Sequence, residues 1–318
     1  MSNFFLNKIH SQFSSHIISS KNRPYLIAEI GLNHNKDVDL AQQMIREAAS
    51  CGANAVKFQS YTTDLFINSQ VREAQQLYDI FKKYELNFTE HEMLREEAKK
   101  FGIDFISTPL TLDWVTHLVQ LKTPFIKIAS GDINNFLLLK EVSKKNIPVI
   151  ISTGNSSLDE IDKAAAFFTL CGKKDVIFLH CISQYPANVQ VLNLSTIPFL
   201  FERIGALCGF SDHTEGSDAA FAATLLGAVV IEKHFTLDRN LEGPDHCISA
   251  TPAELSEIRQ KIDIAHVMRG EPRSEPYGEE SGGDILGKRS LYKIDGKIVP
   301  MRPRKQGLPK DSDIFELL

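Results

Sequence analysis

Three ionisable residues stand directly behind an apolar run near residue 230. The segment IEKHFT, residues 231 to 236, places Glu232, Lys233 and His234 after LLGAVV, which has the character of a buried strand. A second imidazole, His213, follows the apolar run ALCGF. Two neutral imidazoles that leave positions open to water and substrate suit a divalent metal acting as a Lewis acid. The pattern indicates His213 and His234 as metal ligands, although hydrogen-bonded core histidines and ordinary ion pairs would explain these residues without chemistry.

Cationic and hydroxyl side chains follow other apolar runs at the same relative position. Lys57 and Lys127, with several serine and threonine hydroxyls, end four consecutive runs. Ammonium and hydroxyl groups can replace the hydration shell of a dianionic phosphate inside a cleft. The pattern therefore predicts a phosphorylated anion as ligand, whereas any one of these residues alone would more often be a helix cap or a solvated side chain.

Eight short apolar runs must position these side chains. They are YLIAEIG at 25, AVKFQ at 55, DFISTP at 104, FIKIAS at 125, PVIIST at 148, VIFLHC at 176, ALCGFSD at 206 and AVVIEKHF at 228. Most are separated by segments with helical periodicity that close with Gly. Eight strand and helix units in about 250 residues predict an α/β fold, a (β/α)8 TIM barrel with a short C-terminal extension. A doubly wound open sheet is the alternative, but its usual glycine-rich nucleotide motifs do not occur.

Composition argues against several classes of protein. The chain has 318 residues, a formal net charge of −5 and scattered Lys and Arg, so we expect neither a nucleic-acid partner nor a membrane-binding face. Its five cysteines lack C-x-x-C spacing, which predicts reduced thiols in a cytoplasmic protein and no zinc knuckle. No apolar run reaches the roughly 18 residues that span a bilayer. We therefore expect a soluble globular protein without an export or membrane segment.

The strand-end motifs together resemble those of the sialic acid synthases. AEIGLNHN, VKFQ, FISTP, KIASGD, ISTG, LHC followed by YP, GFSDHT, EKHF and GPDH match that family, which includes N-acetylneuraminate, legionaminate and pseudaminate synthases, over residues 22–270. The resemblance implies condensation of phosphoenolpyruvate with an open-chain N-acylated amino sugar, which yields a nine-carbon 2-keto acid and phosphate by C–O cleavage. It also implies a divalent metal, Mn²⁺ first with Mg²⁺ or Co²⁺ as alternatives, and a homodimer.

The resemblance assigns roles to individual positions. Phosphoenolpyruvate-binding positions match Lys57, Thr108, Lys127, Ser130, Ser152, Ser183 and Ser211, sugar-facing positions match Gln59, Tyr185 and Asp245, the metal ligands match His213 and His234, and a carboxylate near the metal matches Glu29. Glu29, Asp132 and Asp245 are then the candidates to stabilise a cationic C2 and to move protons. Asp132 stands where many members of the family carry the longer Glu. Its effect on the choice of amino sugar is left open between neutral drift and a different sugar.

The chain divides into four predicted segments. They are an N-terminal extension at 1–22, the barrel at 23–270, a polar linker at 271–287 and a remnant of an antifreeze-like (SAF) domain at 288–318. In the family this domain brings an arginine to the active site of a partner subunit, but here the region is contracted. Asp295 and Gly296 between LYKI and KIVP predict a type I′ hairpin, which must pack on a barrel to be stable. Arg302 then either contacts the sugar or belongs to a solvated basic tail.

Two other functions stay open at this level. One is a related phosphoenolpyruvate-dependent synthase that makes a seven- or eight-carbon keto-sugar acid, which needs a further cationic subsite for a terminal phosphate. Only MRPRKQG offers such residues beyond the first cluster. The other is a non-catalytic barrel that binds a phosphorylated ligand, a function that would not require the full set of lysines, histidines and carboxylates.

Overall fold

The computed structural model describes residues 4–11, 13–274 and 289–302, and its strands form one closed barrel and two separate hairpins. The strands are β1 (Lys8–His10), β2 (Ile17–Ser19), β3 (Tyr25–Gly31), β4 (Ala55–Ser60), β5 (Asp104–Pro109), β6 (Ile126–Ile128), β7 (Val149–Ser152), β8 (Val176–Cys181), β9 (Leu207–Asp212), β10 (Val230–His234), β11 (Ser290–Ile294) and β12 (Lys297–Met301). Strands β3 to β10 pair in parallel in chain order, and β10 pairs with β3 to close the barrel. The predicted TIM barrel is therefore confirmed and the open sheet is wrong.

At least one helix follows each barrel strand. The helices are α1 (Val38–Ser50), α2 (Thr63–Phe66), α3 (Gln75–Tyr84), α4 (Phe88–Lys100), α5 (Leu112–Gln120), α6 (Phe136–Ser143), α7 (Leu158–Leu170), α8 (Thr196–Ile204), α9 (Asp218–Leu225) and α10 (Pro252–Arg269). Capping boxes start two of them, Asn87 with Glu90 for α4 and Ser157 with Glu160 for α7. These side chains pair amides that a helix start leaves unpaired. Within the described part of the chain, no helix is both long and apolar enough to cross a membrane.

Alternate residues of each barrel strand pack on opposite sides of the sheet. In β3, Tyr25 and Ile27 belong to the apolar cluster inside the barrel, whereas Leu26 and Ala28 pack in the layer between barrel and helices. Side chains of a strand alternate with a period of two, so Glu29 continues the inward row of Tyr25 and Ile27. The same counting on the other strands decides which polar residues at their C-terminal ends reach the barrel mouth.

The N-terminal segment forms a hairpin of its own. Strands β1 and β2 pair antiparallel outside the barrel sheet. Ile9 and Ile18 are buried in the same inner cluster as Tyr25 and Phe125, which lie where barrel strands begin. The hairpin thus covers the N-terminal end of the barrel, a role that the sequence analysis did not predict for residues 1–22.

The chain divides into two compact units, Met1–Arg269 and Gly270–Leu318. In the second, β11 and β12 pair antiparallel, with Ile294 opposite Lys297. Asp295 and Gly296 between them have φ angles of 47° and 77°, and positive φ at both central positions is the mark of a type I′ turn. The predicted hairpin is confirmed. The predicted linker lies outside the described residues from position 275 onward, as does the tail after residue 302.

Candidate active site

A polar cavity of about 270 Å³ opens at the C-terminal end of the barrel strands. The predicted site residues that line it are Glu29, Lys57, Gln59, Thr108, Lys127, Ser130, Ser152, Ser183, Tyr185, Ser211, His213 and His234, and Glu232, which the prediction left out, lines it as well. Side chains of a strand alternate between its two faces. The polar residues at the strand ends lie an even number of positions after the inward-facing apolar residues, so they face inward as well. The C-terminal end of a TIM barrel is where barrel enzymes carry out their chemistry.

Two buried lysines dominate the electrostatics of the cavity. The Lys57 ammonium lies 2.7 Å from Glu29 Oε2 and donates to Thr108 Oγ1 at 3.1 Å. The Lys127 ammonium donates to Ser152 Oγ at 2.6 Å. Both side chains are almost fully buried, so each charge is held by the site and is hardly screened by water. An anionic ligand would meet two preoriented cations.

Glu232 lines the cavity but was not among the site residues predicted from the sequence. Its carboxylate lies 3.7 Å from the Lys57 ammonium and 3.9 Å from that of Lys127, and it accepts a hydrogen bond from Ser211 Oγ at 2.9 Å. Burial alone would raise the pKa of Glu232, but Lys127 and Lys57 outweigh burial and bring it to about 2. Glu232 therefore stays ionised. The sequence could have indicated it, because Glu232 lies two residues before His234 in the same strand and therefore faces the same side.

Lys233 faces away from the cavity. Its ammonium donates to Asp212 Oδ2 at 3.0 Å and to the carbonyl oxygen of Thr214. Asp212 in turn accepts a hydrogen bond from the Thr214 amide at 2.8 Å. Lys233 and Asp212 are both buried and link β9 to β10 on the outer side of the barrel. Of the three ionisable residues that follow LLGAVV and Ile231, Glu232 and His234 line the cavity and the middle one is structural.

Glu29 has the character of a proton carrier. Burial raises its pKa to about 7 despite the opposing effect of Lys57. Asp245, whose pKa burial also raises, lies beside it at Gly31. A Cβ added to Gly31 would lie 3.2 Å from Asp245 Oδ2 and 3.4 Å from Glu29 Oε1, and Gly31 has a left-handed φ of 55°. A glycine at this position lets the two carboxyl groups approach each other. Asp245 itself does not line the described cavity.

His213 and His234 provide two neutral imidazoles on neighbouring strands. Their ring centroids are 5.6 Å apart, and the Tyr185 ring lies 4.2 Å from that of His213. His213 Nδ1 lies 2.8 Å from the Ile182 carbonyl oxygen, so Nδ1 carries the proton and Nε2 keeps a lone pair. Burial lowers the pKa of both rings, that of His234 to about 3. His234 Nδ1 is buried without a hydrogen-bond partner. This donor set fits a divalent metal.

Hydroxyl groups of the phosphate-binding prediction surround Gly154. The Gly154 amide donates to Ser130 Oγ at 2.9 Å. A Cβ at this position would lie 2.4 Å from Ser183 Oγ and 2.9 Å from Ser130 Oγ. The two hydroxyls therefore leave no room for a side chain at Gly154. The same two serines also line an adjoining cavity of about 300 Å³.

Two further predicted residues lie outside the lining of the cavity. Asp132 ends a 3-10 turn and accepts a hydrogen bond from Asn135 Nδ2 at 3.0 Å, while burial raises its pKa. Arg302 is exposed and belongs to the second compact unit. Its predicted contact with the sugar stays a prediction.

Comparison with known proteins identifies the family. A model described as the NeuB family matches residues 44–274. The N,N'-diacetyllegionaminic acid synthase of Campylobacter jejuni is 37% identical over 285 residues, 86% of this chain and 85% of that protein. An uncharacterised protein of Methanocaldococcus jannaschii is 44% identical over 267 residues, 84% and 78% of the two chains.

A solved structure agrees with this match. The crystal structure of N-acetylneuraminic acid (sialic acid) synthetase from Leptospira borgpetersenii serovar Hardjo-bovis, in complex with citrate, superposes with a TM-score of 0.81 at 35% identity, covering 86% of this chain and 94% of that one. The resemblance predicted from the strand-end motifs is therefore confirmed, and the chain belongs to the NeuB family.

Proposed function

We propose that this protein condenses phosphoenolpyruvate with an open-chain N-acylated amino sugar to give a nine-carbon 2-keto acid and phosphate. The observation that carries the proposal is one cavity in which two buried lysines and a ring of hydroxyls lie with two neutral imidazoles and two carboxylates of different pKa. The first group suits a phosphorylated carboxylate. The second suits a carbonyl substrate and proton transfer. Membership of a family of sialic-acid-type synthases supports the same reaction.

Phosphoenolpyruvate would lie between the lysines and the hydroxyls. Lys57 with Thr108 and Lys127 with Ser152 present two donor pairs to its anionic groups. Ser130, Ser183 and Ser211 complete the predicted set, and the two serines beside Gly154 suit a phosphate oxygen. The two lysines, Thr108, Ser152 and Ser211 are buried and hydrogen-bonded within the site, so they need little reorganisation when the ligand binds.

His213 and His234 would hold the divalent metal, Mn²⁺ or the alternatives Mg²⁺ and Co²⁺. When bound, such an ion supplies Lewis-acid polarisation of the sugar aldehyde. The lone pair on His213 Nε2 and the unpartnered His234 Nδ1 are the observations that support this role. Their lowered pKa values keep both rings neutral and able to act as ligands at physiological pH.

Carboxylates of the site would stabilise the positive charge that forms on C2 and would transfer the protons of the reaction. C3 of phosphoenolpyruvate forms a bond with the aldehyde carbon, which leaves C2 cationic. The negative charge of ionised Glu232 would stabilise that cation. A water then adds to C2, and the C2–O bond to phosphate breaks to leave the ketone; of the two protons that the water gives up, one goes to the alkoxide formed from the aldehyde oxygen and the other to the departing phosphate. Glu29 and Asp245, with raised pKa values, are the groups suited to accept and return those protons.

The sugar would lie toward Gln59 and Tyr185 at the cavity mouth, where Tyr185 is half exposed. Both N-acetylmannosamine and a 2,4-diacetamido hexose fit the proposed class. A relative named N,N'-diacetyllegionaminic acid synthase favours the diacetamido hexose. Asp132 is one methylene shorter than the Glu of many family members, and the choice between neutral drift and a different sugar stays open at this residue.

Phosphate release tests the proposal. Phosphoenolpyruvate is mixed with N-acetylmannosamine, with 2,4-diacetamido hexoses or with arabinose 5-phosphate, using metal-stripped protein and protein reloaded with Mn²⁺. We expect release only with an N-acylated amino sugar and only after reloading, and metal binding measured by calorimetry should be lost in His234→Ala. Release with arabinose 5-phosphate alone would instead identify a different keto-sugar-acid synthase, and no release with any sugar would overturn the proposal.

A further inference from the structure

A second cavity, of about 380 Å³, lies at the opposite end of the barrel from the candidate active site. Its walls come from the loop between β1 and β2, the end of α4, the start of β5 and the end of α5. Asp104 and Phe105 start β5, whereas Thr108, which lines the active-site cavity, lies near its end. At about 3.3 Å per residue, the length of a strand separates the two cavities.

The walls of this N-terminal cavity carry an excess of positive charge. Arg95, Lys99 and Lys122 line it, and Asp104 is the one carboxylate among its lining residues. Arg95 Nε is buried without a hydrogen-bond partner, whereas another nitrogen of the same guanidinium forms an ion pair with Glu96. In the described part of the chain, the ammonium groups of Lys99 and Lys122 have no ion pair or hydrogen bond. Two ammonium groups without a partner among the described residues, and one guanidinium that is paired with Glu96, therefore face the cavity.

One oxygen of the Asp104 carboxylate is already engaged by the protein. Its Oδ2 accepts hydrogen bonds from Ser14 Oγ at 2.6 Å and from the Tyr25 hydroxyl at 2.5 Å, and lies 3.1 Å from His16 Nδ1. Ser14 Oγ and His16 Nδ1 both contact the same carboxylate oxygen of Asp104. In a hydrolytic triad the histidine instead lies between the serine and the carboxylate. These contacts hold the loop between β1 and β2 against the barrel. We therefore consider the cavity as a binding site and not as a hydrolytic one.

Lys122 holds an uncommon backbone conformation. It follows Leu121, the C-cap of α5, with a φ of 55°, in the left-handed region where glycine is the usual residue. A lysine at such a position costs stability that a glycine would not. Backbone strain of this kind is found at functional sites, and the side chain that it presents lines the cavity.

We propose that the N-terminal cavity binds a phosphate monoester that carries an apolar or planar group, with a nucleoside 5′-monophosphate as the representative class. A guanidinium and two ammonium groups match the charge of a phosphate. Phe105, Leu121 and Pro124 supply an apolar wall for the remainder of the molecule. A volume of 380 Å³ falls in the range of about 300 to 1,000 Å³ for small-molecule sites.

Calorimetry on the full chain tests this inference with adenosine 5′-monophosphate and inorganic phosphate as probes. Lys122→Gly and Arg95→Met should weaken binding of the nucleotide roughly tenfold or more, since each removes a charge-assisted contact. Lys122→Gly should do so with an unchanged or raised melting temperature, because it also relieves the left-handed lysine. Loss of binding therefore cannot come from loss of the fold.

Matched variants locate the site. Lys100→Met removes a cation from the same helix end, but Lys100 pairs with Glu97 at 2.9 Å and does not line the cavity, so the nucleotide should bind it as it binds the wild type. Lys127→Ala, at the other end of the barrel, should also leave nucleotide affinity unchanged. The inference fails if the wild type binds no nucleotide, if Lys122→Gly binds as tightly as the wild type, or if Lys127→Ala abolishes binding. Equal affinity for inorganic phosphate would overturn the role of the apolar wall.

Discussion

The charge balance of the active-site cavity depends on individual residues. Two ammonium groups, those of Lys57 and Lys127, face two carboxylates, Glu29 and Glu232, and all four side chains are buried. An anionic ligand is attracted by the two lysines and repelled by the two carboxylates. It binds only if the attraction is the stronger of the two. The raised pKa of Glu29 suits this requirement, because a protonated Glu29 repels no anion.

Replacing Lys127 tests the predicted anion site. In Lys127→Ala, the loss of one charge-assisted contact, worth about 1.5 to 3 kcal/mol, should weaken phosphoenolpyruvate binding roughly tenfold to over a hundredfold. Sugar affinity should change much less. Calorimetry with each substrate measures both. Lys144→Ala, which removes an exposed lysine from the end of α6, is the control and should bind as the wild type does. Unchanged phosphoenolpyruvate binding in Lys127→Ala would remove this lysine from the site.

Glu29 should also make stability depend on pH. Its folded pKa of about 7 lies above the ordinary 4.5, so the native state binds the proton more tightly than the unfolded state does. The stabilising contribution is therefore complete below about pH 4.5 and is lost as pH rises toward 7, by up to about 3 kcal/mol. Urea unfolding of metal-free protein should show a smaller decline over this range in Glu29→Gln than in the wild type. Equal declines would show that Glu29 titrates normally.

At the scale of elements, strands β9 and β10 set the positions of both histidines. The buried Lys233 and Asp212 pair joins the two strands on the side opposite to His213 and His234. Since neighbouring residues of a strand face opposite ways, fixing Lys233 outward also fixes His234 inward.

Breaking that pair should destabilise the protein. In Lys233→Met the buried Asp212 loses its cation, which should lower the free energy of unfolding by about 3 to 5 kcal/mol. Lys163→Met, which breaks the exposed pair with Asp159, should change it far less, because water already solvates and screens both charges. Urea unfolding measures both variants. If the two variants were equally stable, the buried pair would have no special part in joining β9 to β10.

Much of this arrangement could be predicted from the sequence, for reasons that differ between elements. The barrel strands are continuous apolar runs that end in polar residues, and Asp295 with Gly296 carries its own turn signal. Glu232 was missed because an ion pair explained it equally well until its parity with His234 was counted. The β1 and β2 hairpin was missed because its three-residue strands gain their stability from packing across the barrel end, which local pattern does not contain.

For the molecule as a whole, the role of the second unit is still a prediction. The family resemblance predicts that Arg302 corresponds to an arginine that reaches the active site of a partner subunit, and a solvated basic tail is the alternative. Arg302→Ala, or truncation after Gly283, should raise the KM for the sugar markedly and leave that for phosphoenolpyruvate nearly unchanged. Lys297→Ala, an exposed change in the same hairpin, is the control. Truncated protein with wild-type kinetics for both substrates would exclude the tail from catalysis.

The central claim is that the C-terminal cavity joins phosphoenolpyruvate to an amino sugar with cleavage of the C–O bond. Isotope labelling tests it most directly: phosphoenolpyruvate with ¹⁸O in the bridging oxygen is incubated with the amino sugar, and phosphate and keto acid are analysed by mass spectrometry. All of the label should leave with phosphate, the ketone oxygen should come from water, and no phosphate should form without the sugar. Label retained in the keto acid, or phosphate release independent of the sugar, would contradict it.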